Sequence, residues 1–145
     1  MSIPDKIKIK REEGYRTHHI GRFANGDQFM GLVVTPGGSR NVKWYAVLHR
    51  FDSSGKHLAT DHFFLGRATW ASELDVDADA KLGELLKRFG PITYCDIEVG
   101  LFSVEIDGER FGLVDASVPE EEYESIHLVP DDLAFFAPWD GEYDT

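Results

Sequence analysis

The sequence predicts the α+β fold class: a strand-rich antiparallel meander of hairpins with one main amphipathic helix packed on a face. Three observations support this prediction. Turn signals lie at positions 25–26, 52–56 and 107–108, the segments around these turns alternate between apolar and polar residues, and one apolar stripe of helical spacing runs from about 76 to 89. Because hairpins place successive strands side by side, a single helix remains to cover one face of the sheet.

The clearest hairpin surrounds Asp107-Gly108. Both residue types tolerate positive φ angles, as a two-residue type I′ turn requires. That turn pairs Val104 with Phe111 and Glu105 with Arg110. Five apolar side chains then share one face, namely Phe102, Val104, Ile106, Phe111 and Leu113. The pattern predicts a sheet that buries one face and leaves the other charged.

The first third of the chain predicts three further strands. Residues 6–10 alternate, so Ile7 and Ile9 share one face of an edge strand. Segments 15–24 and 28–35 form a hairpin around residues 25–26. A two-residue turn would place Phe23 opposite Gln28, whereas a three-residue turn would place it opposite Phe29 and matches the apolar residues better.

A third hairpin joins segments 43–51 and 57–65. Asp52 suits the first position of a type I turn and Gly55 the left-handed position that follows, which predicts a three-residue connection. This register places Phe51 opposite His57, His49 opposite Ala59, Val47 opposite Asp61 and Tyr45 opposite Phe63. Large residues occupy both faces, so the hairpin is predicted to lie in the middle of its sheet.

The predicted helix spans about 76–89, with Asp75 or Asp77 as its N-cap and Gly90-Pro91 at its end. Its apolar stripe consists of Leu82, Leu85, Leu86 and Phe89. Farther along, the alternating phase of residues 97–101 differs from that of 102–106, which suggests a β-bulge near Gly100. Short strands are expected at 126–129 and 133–136.

Size and composition favour one globular domain over residues 1–145. The chain is 42% hydrophobic and 12% aromatic, which is enough for a packed interior. Cys95 is the single cysteine, so an intramolecular disulfide is impossible, and the start of the chain lacks the apolar segment of a signal peptide. No apolar run is long enough to span a membrane. We therefore expect a cytoplasmic protein without membrane contact.

The net charge indicates which partners the protein attracts. With 26 acidic and 15 basic residues the formal charge is −11, and acidic residues are concentrated in the last quarter of the chain. This balance opposes binding to nucleic acid, because phosphates require clustered lysine and arginine. It favours a basic protein partner, although an acidic surface also serves solubility alone.

The histidines suggest one metal site. The predicted register places His49, His57 and Asp61 on one face, where two imidazoles and a carboxylate would suit zinc or non-haem iron. The alternative is a structural role in which Asp61 only hydrogen-bonds His49. His18 and His19 are expected on opposite faces of a strand, so they are not predicted to bind one ion. No motif predicts an organic cofactor.

The C-terminal segment suggests a binding surface. Trp139 and Tyr143 provide aromatic contact area, while Asp140 and Asp144 would attract a basic partner. The alternative is that the aromatic residues anchor the end of the chain to the sheet, since chain ends fray unless they are held.

Four segments resemble one family of small bacterial proteins. These are residues 15–21, 43–57, 101–115 and 137–145. The family is frequent in actinobacteria and is catalogued as formate hydrogenlyase regulatory protein HycA. The resemblance implies a cytoplasmic bacterial protein with a regulatory role, and it implies no catalytic or binding residue.

Together these observations predict a non-enzymatic regulatory or protein-interaction module with an acidic binding surface. One alternative is a metal-dependent enzyme that uses His49, His57 and Asp61. Another is an immunity-type protein whose acidic residues cover the site of a basic toxin. The oligomeric state is not predicted.

Overall fold

A computed structural model describes residues 3–36, 42–120, 123–130 and 133–144 of the chain. These residues form twelve strands, one α-helix and one short 3₁₀-helix over Ala71–Glu73. The elements are β1 Lys6–Ile9, β2 Ile20–Phe23, β3 Gln28–Val34, β4 Val42–Phe51, β5 His57–Ala68, α1 Ala78–Lys87, β6 Ile92–Tyr94, β7 Ile97–Gly100, β8 Phe102–Ile106, β9 Glu109–Asp115, β10 Ser125–Val129, β11 Leu133–Phe136 and β12 Tyr143–Asp144.

The strands form three antiparallel sheets. We call the sheet with strand order β5-β4-β3-β2-β6 the helix-side sheet, and the one with order β12-β11-β10-β9-β8 the meander sheet. Strands β1 and β7 form a small third sheet. Helix α1 contacts β3, β4 and β5. The predicted fold class, an antiparallel meander with one helix on a face, is confirmed.

Two apolar cores lie on opposite faces of the helix-side sheet. The inner core joins this sheet to the meander sheet and to the β1–β7 pair; among its members are Met30, Val47, Ile97, Phe111 and Leu128. The second core lies under α1 and includes Phe29, Leu48, Leu82, Leu85 and Leu86. The centre of the helix-side sheet is therefore buried on both faces, which explains the consecutive apolar residues of its strands β3 and β4, such as residues 32–34 and 44–48.

The β8–β9 hairpin has the predicted register. Val104 pairs with Phe111 and Glu105 with Arg110, and the turn residues Asp107 and Gly108 have φ angles of 51° and 82°. Gly112 meets a second demand of this hairpin, because a Cβ there would lie 2.2 Å from the carbonyl oxygen of Phe102. Phe111 and Leu113 are fully buried in the inner core.

Helix α1 also agrees with the prediction, within one or two residues at each end. Asp77 is the N-cap, and its side chain accepts a hydrogen bond from the backbone N–H of Ala80. The buried residues of α1 are Leu82, Leu85 and Leu86. None of the helices among the described residues is long and apolar enough to cross a membrane.

The β2–β3 hairpin has neither of the two predicted registers. Arg22 pairs with Gln28, and the backbone N–H of Phe23 donates to the carbonyl of Asp27 at 2.8 Å. The loop is therefore Ala24-Asn25-Gly26, in which Gly26 takes a positive φ of 94°. The predicted extended segment 15–24 is also shorter, because the chain forms turns before β2 starts at Ile20.

The change of phase near Gly100 is a change of sheet, not a bulge. Strand β7 pairs with β1, whereas β8 pairs with β9, although only Leu101 separates the two strands. Because each segment buries its own alternate residues in the inner core, the two phases need not agree.

The β4–β5 hairpin departs from the prediction after its first pair. Phe51 pairs with His57 as expected, but the register then shifts by one residue, so that Arg50 pairs with Ala59 and His49 with Thr60. Moreover, β5 is an edge strand of the helix-side sheet, not a central one. Three of its large side chains are exposed, Leu58 by 48%, Phe63 by 37% and Phe64 by 47%, whereas Leu65 is buried.

Candidate functional site

The register shift separates the three residues of the predicted metal site. His49 and His57 lie on the inner-core face of the helix-side sheet, where both rings contact Phe102. Asp61 pairs with Leu48 on the helix face, and its Oδ2 lies 3.6 Å from Nε of Arg50. The prediction that these three side chains converge is wrong, because one extra residue in β5 moves Asp61 to the other face.

The two histidines are instead joined by a hydroxyl. Oγ1 of Thr60 lies 2.8 Å from Nδ1 of His49 and 2.8 Å from Nε2 of His57. A hydroxyl has one proton and two lone pairs, so Thr60 donates to at most one of the two imidazoles and can accept from either. The described part of the chain contains no group of three or more His, Cys, Asp or Glu residues arranged to hold a metal ion.

Burial sets the charge state of this histidine pair. His49 is fully buried, and desolvation, followed by the nearby His57, lowers the pKa of His49 to about 3. Burial also lowers the pKa of His57, although its hydrogen bond to the backbone of Ala59 acts in the opposite direction. Both imidazoles are therefore neutral near pH 7. Together with the Thr60 hydroxyl they form a hydrogen-bonded chain from the fully buried His49 to the partly buried His57.

The C-terminal residues anchor the chain end. Trp139 and Tyr143 are partly buried and pack against the inner core, and the carbonyl of Gly141 accepts a hydrogen bond from the backbone of Lys10 at 3.1 Å. The side chains of Lys10 and Glu142 form an ion pair at 2.8 Å. This is the anchoring alternative. Asp140 and Asp144 remain exposed, so a partner contact at these residues stays a prediction.

A cleft that the sequence did not predict lies beside the start of α1. It has a volume of about 560 Å³ and lies between the β1–β2 loop, strand β3 and the helix. The side chains that matter for its chemistry are those of Tyr15, Arg16, His18, His19, Trp44 and Asp79. It brings two imidazoles, two aromatic rings and a carboxylate into one concave surface.

His19 lies between a hydroxyl and a carboxylate in this cleft. Its Nδ1 lies 3.2 Å from the hydroxyl of Tyr94, and its Nε2 lies 3.9 Å from Oδ1 of Asp79. Burial, followed by the neighbouring His18, lowers the pKa of His19. The imidazole is thus neutral near pH 7 and can act as a donor at one nitrogen and an acceptor at the other.

His18 holds the loop that forms one wall of the cleft. Its Nδ1 accepts a hydrogen bond from the backbone N–H of Gly14 at 2.7 Å, and Nη2 of Arg11 lies 3.2 Å away. The rings of His18 and His19 meet edge to face, with centroids 4.6 Å apart. The expectation that they lie on opposite faces of a strand is wrong, because these residues form turns. The sequence feature that could have indicated these turns is Gly14, whose φ of +74° interrupts the extended chain.

A second exposed feature is the outer edge of β5. Phe64 packs partly against Tyr45, with ring centroids 5.6 Å apart, and Nζ of Lys81 lies 4.7 Å from the ring centroid of Phe63. Nevertheless both phenylalanines, on opposite faces of the strand, stay more than one-third exposed. The sequence shows large side chains on both faces of β5, but the same pattern is typical of a central strand, and so it did not indicate an exposed edge.

Comparison with known proteins adds no relative. No family model, curated protein or solved structure matches the chain.

Proposed function

We propose that the protein is a non-enzymatic, cytoplasmic regulatory module that binds a protein partner along the edge of β5. The observation that supports this proposal most directly is the combination of an unpaired edge with exposed aromatic side chains. Among the described residues, β5 pairs on one side only, with β4. An edge strand offers unsatisfied backbone groups to any extended segment that lies beside it.

The edge of β5 carries only part of the usual protection against such pairing: one charge at mid-strand, Asp61, and register shifts confined to its two ends. Native edges are blocked by lysine, proline or inward-pointing charge, and β5 contains no lysine and no proline. Asp61, in the middle of the strand, is directed to Arg50 on the helix face. Between the register shifts at its two ends, the strand keeps a regular stretch from Ala59 to Phe64 that can accept a partner strand.

The exposed aromatic residues give the edge its contact area. Phe63 and Phe64 point to opposite faces, so a partner strand with alternating side chains would meet one ring on each face. Exposed apolar groups of this kind mark interaction surfaces when they form a patch. Trp70, which is 67% exposed, follows two residues after the end of β5 and is a further exposed aromatic residue near this edge in the sequence.

Charge defines the class of partner. The net charge of −11 attracts a basic segment and repels an acidic one, including a second copy of this chain. We therefore propose an extended, basic segment with alternating apolar residues as the occupant of the edge. A basic toxin is one such partner, and the regulatory role implied by the family resemblance is compatible with the same surface.

The C-terminal residues provide the competing surface for the same class of partner. Asp140 and Asp144 are exposed, and Tyr143-Asp144 is itself an edge strand of the meander sheet. However, β12 spans only two residues, so it offers much less backbone for pairing than β5. We rank β5 first for this reason.

Two synthetic peptides test the proposal, one alternating lysine with valine and one alternating glutamate with valine. The lysine peptide should slow amide exchange and shift resonances in Ala59–Phe64, and the glutamate peptide should bind at least about tenfold more weakly. The double substitution Phe63→Ser and Phe64→Ser should weaken binding of the lysine peptide at least about tenfold.

Two control variants make the outcome decisive. Tyr123→Ser removes another exposed aromatic ring, 56% accessible, and should leave binding unchanged. Asp140→Asn tests the C-terminal surface and should also have no effect. Equal binding of both peptides, or loss of binding in Asp140→Asn but not in the β5 variant, would overturn the assignment to β5.

A further inference from the structure

We infer that the cleft beside the start of α1 binds an uncharged, polyhydroxylated ligand of the size of a sugar ring. The cleft involves different strands from the exposed edge of β5, so this inference does not depend on the proposed function. At about 560 Å³ the cleft falls within the range of roughly 300–1,000 Å³ that is typical of small-molecule sites.

One wall of the cleft is apolar. Trp44 lines it, and the indole N–H of this residue already donates to the carbonyl of Ala68 at 2.9 Å. The part of Trp44 left for a ligand is therefore its ring. Val33 lies on the same face of the sheet, and Tyr15, at 56% exposure, lies in the loop that borders the cleft. An aromatic surface of this kind packs against the C–H face of a sugar ring.

His19 and Asp79, which also line the cleft, present a donor and an acceptor close together. Nδ1 of His19 accepts from the hydroxyl of Tyr94, because the alternative tautomer would direct a bare Nε2 at the Asp79 carboxylate. Nε2 therefore carries the proton. The 3.9 Å between Nε2 and Oδ1 of Asp79 exceeds hydrogen-bond length. One ligand hydroxyl can bridge this gap, since it accepts from Nε2–H and donates to the carboxylate.

The charges of the cleft favour a ligand without net charge. Among the described lining residues, Arg16 and Asp79 carry opposite charges, and His19 is neutral near pH 7 because burial lowers its pKa. The opposite charges of Arg16 and Asp79 give the cleft no net preference for an anion over a cation. Hydroxyl groups, which both donate and accept, suit this mixture of groups better than either ion does.

Titration of isotope-labelled protein with methyl glycosides of glucose, galactose and mannose tests this inference by NMR. At least one glycoside should give saturable shifts in Tyr15–His19 and in the indole N–H of Trp44 at concentrations up to roughly 50 mM, since weak sugar sites have millimolar dissociation constants. Gluconate, glucosamine and adenosine serve as anionic, cationic and planar comparison ligands and should bind at least about tenfold more weakly.

Matched alanine variants test the bridging hydroxyl. Asp79→Ala should weaken glycoside binding at least about tenfold, and it should fold normally because the Asp79 side chain is 82% exposed. Glu84→Ala removes a carboxylate from the same helix outside the cleft, and it should leave binding unchanged. The double variant at Phe63 and Phe64 should also retain it, which separates this inference from the proposed function.

Tyr94 has the role of a positioning residue. Tyr94→Phe should reduce glycoside affinity by about threefold and should change the ¹⁵N shifts of His19, because the hydroxyl no longer fixes the protonated nitrogen. The inference fails if no glycoside gives saturable shifts. It also fails if adenosine or a charged ligand binds more tightly than the glycosides, or if Asp79→Ala and Glu84→Ala behave alike.

Discussion

The β8–β9 and β4–β5 hairpins both have clear turn signals in the sequence, but only β8–β9 has the register that its turn predicts throughout. In β8–β9 the type I′ turn at Asp107-Gly108 leads directly into a regular ladder. In β4–β5 the first pair, Phe51 with His57, is also correct, but an irregularity follows at once. A turn therefore determines the register only as far as the first bulge.

The difference has a physical origin in how the two hairpins bury their faces. In β8–β9 one face is apolar and the other charged, so a slip of one residue would bury Glu105 and Arg110. Strand β5 carries large residues on both faces, and neither phase is penalised in this way. The hydrophobic pattern of β5 therefore cannot reveal a shift of its register against β4. The slip decides whether Asp61 or Thr60 lies beside the buried His49.

The largest expected effect contrasts a buried ring of β9 with an exposed ring of β5. Phe111→Ala should lower the free energy of unfolding by about 3–5 kcal/mol, because it empties a fully buried site in the inner core. Phe64→Ala should cost about 1 kcal/mol or less, since that ring is 47% exposed. Denaturant unfolding measures both. Equal losses would mean that the edge of β5 is covered in solution.

The second prediction concerns the pH dependence that His49 creates. Its pKa in the folded protein is about 3, below the value of about 6.5 for an unfolded chain. The unfolded state therefore takes up the proton first, and the stability that neutral His49 provides is full above pH 6.5 and is lost as pH falls toward 3. The loss should reach about 2–3 kcal/mol by about pH 4.5.

Urea unfolding at several pH values checks this slope. His49→Gln keeps a neutral polar side chain and should remove the dependence attributed to the imidazole. His62→Gln, at an exposed position of β5, should retain the slope of the unsubstituted protein. If both variants show that slope, His49 is not the group responsible.

Much of the fold could be predicted because its signals are local. The turn at residues 107–108, the stripe of α1 and the alternation of Ile7 and Ile9 each depend on neighbours within a few positions. Sheet membership could not be obtained in this way. Strands β7 and β8 follow one another with one residue between them and yet belong to different sheets, a choice made by distant strands.

The candidate sites depend even more on distant residues. Asp79 and His19 meet only because α1 packs on β3 and β4, and Tyr94 joins them because β6 pairs with β2. No spacing in the sequence encodes these neighbours. The rings of His49 and His57 lie near each other, with centroids 6.2 Å apart, because their pairing depends on the turn, whereas the placement of Asp61 depends on residues beyond the bulge.

A third prediction tests the register of β4–β5 directly. Thr60→Val removes the hydroxyl that bridges His49 and His57, and it leaves Nδ1 of the fully buried His49 without its partner. The expected cost is about 1–3 kcal/mol. Asp61→Asn keeps the size of its side chain and weakens only a 3.6 Å contact with Arg50 that is not a hydrogen bond, so it should cost less than Thr60→Val. The reverse order would favour the register without the bulge.

The smallest expected effect lies on the charged face of β8–β9. Glu105 and Arg110 are cross-strand neighbours, yet both are exposed, and Nε of Arg110 donates to Oγ of Ser103 at 3.0 Å. Glu105→Ala should therefore change the free energy of unfolding by about 0–1 kcal/mol, the usual range for exposed ion pairs, and added salt should reduce even that difference.

Val104, on the opposite face of the same strand, is partly buried against the inner core, and Val104→Asp should be far more destabilising because it desolvates a carboxylate beside Phe111. Thermal unfolding of the two variants compares the faces within one strand. A loss for Glu105→Ala as large as that for Val104→Asp would show that the one-sided pattern, which made this hairpin predictable, does not control its stability.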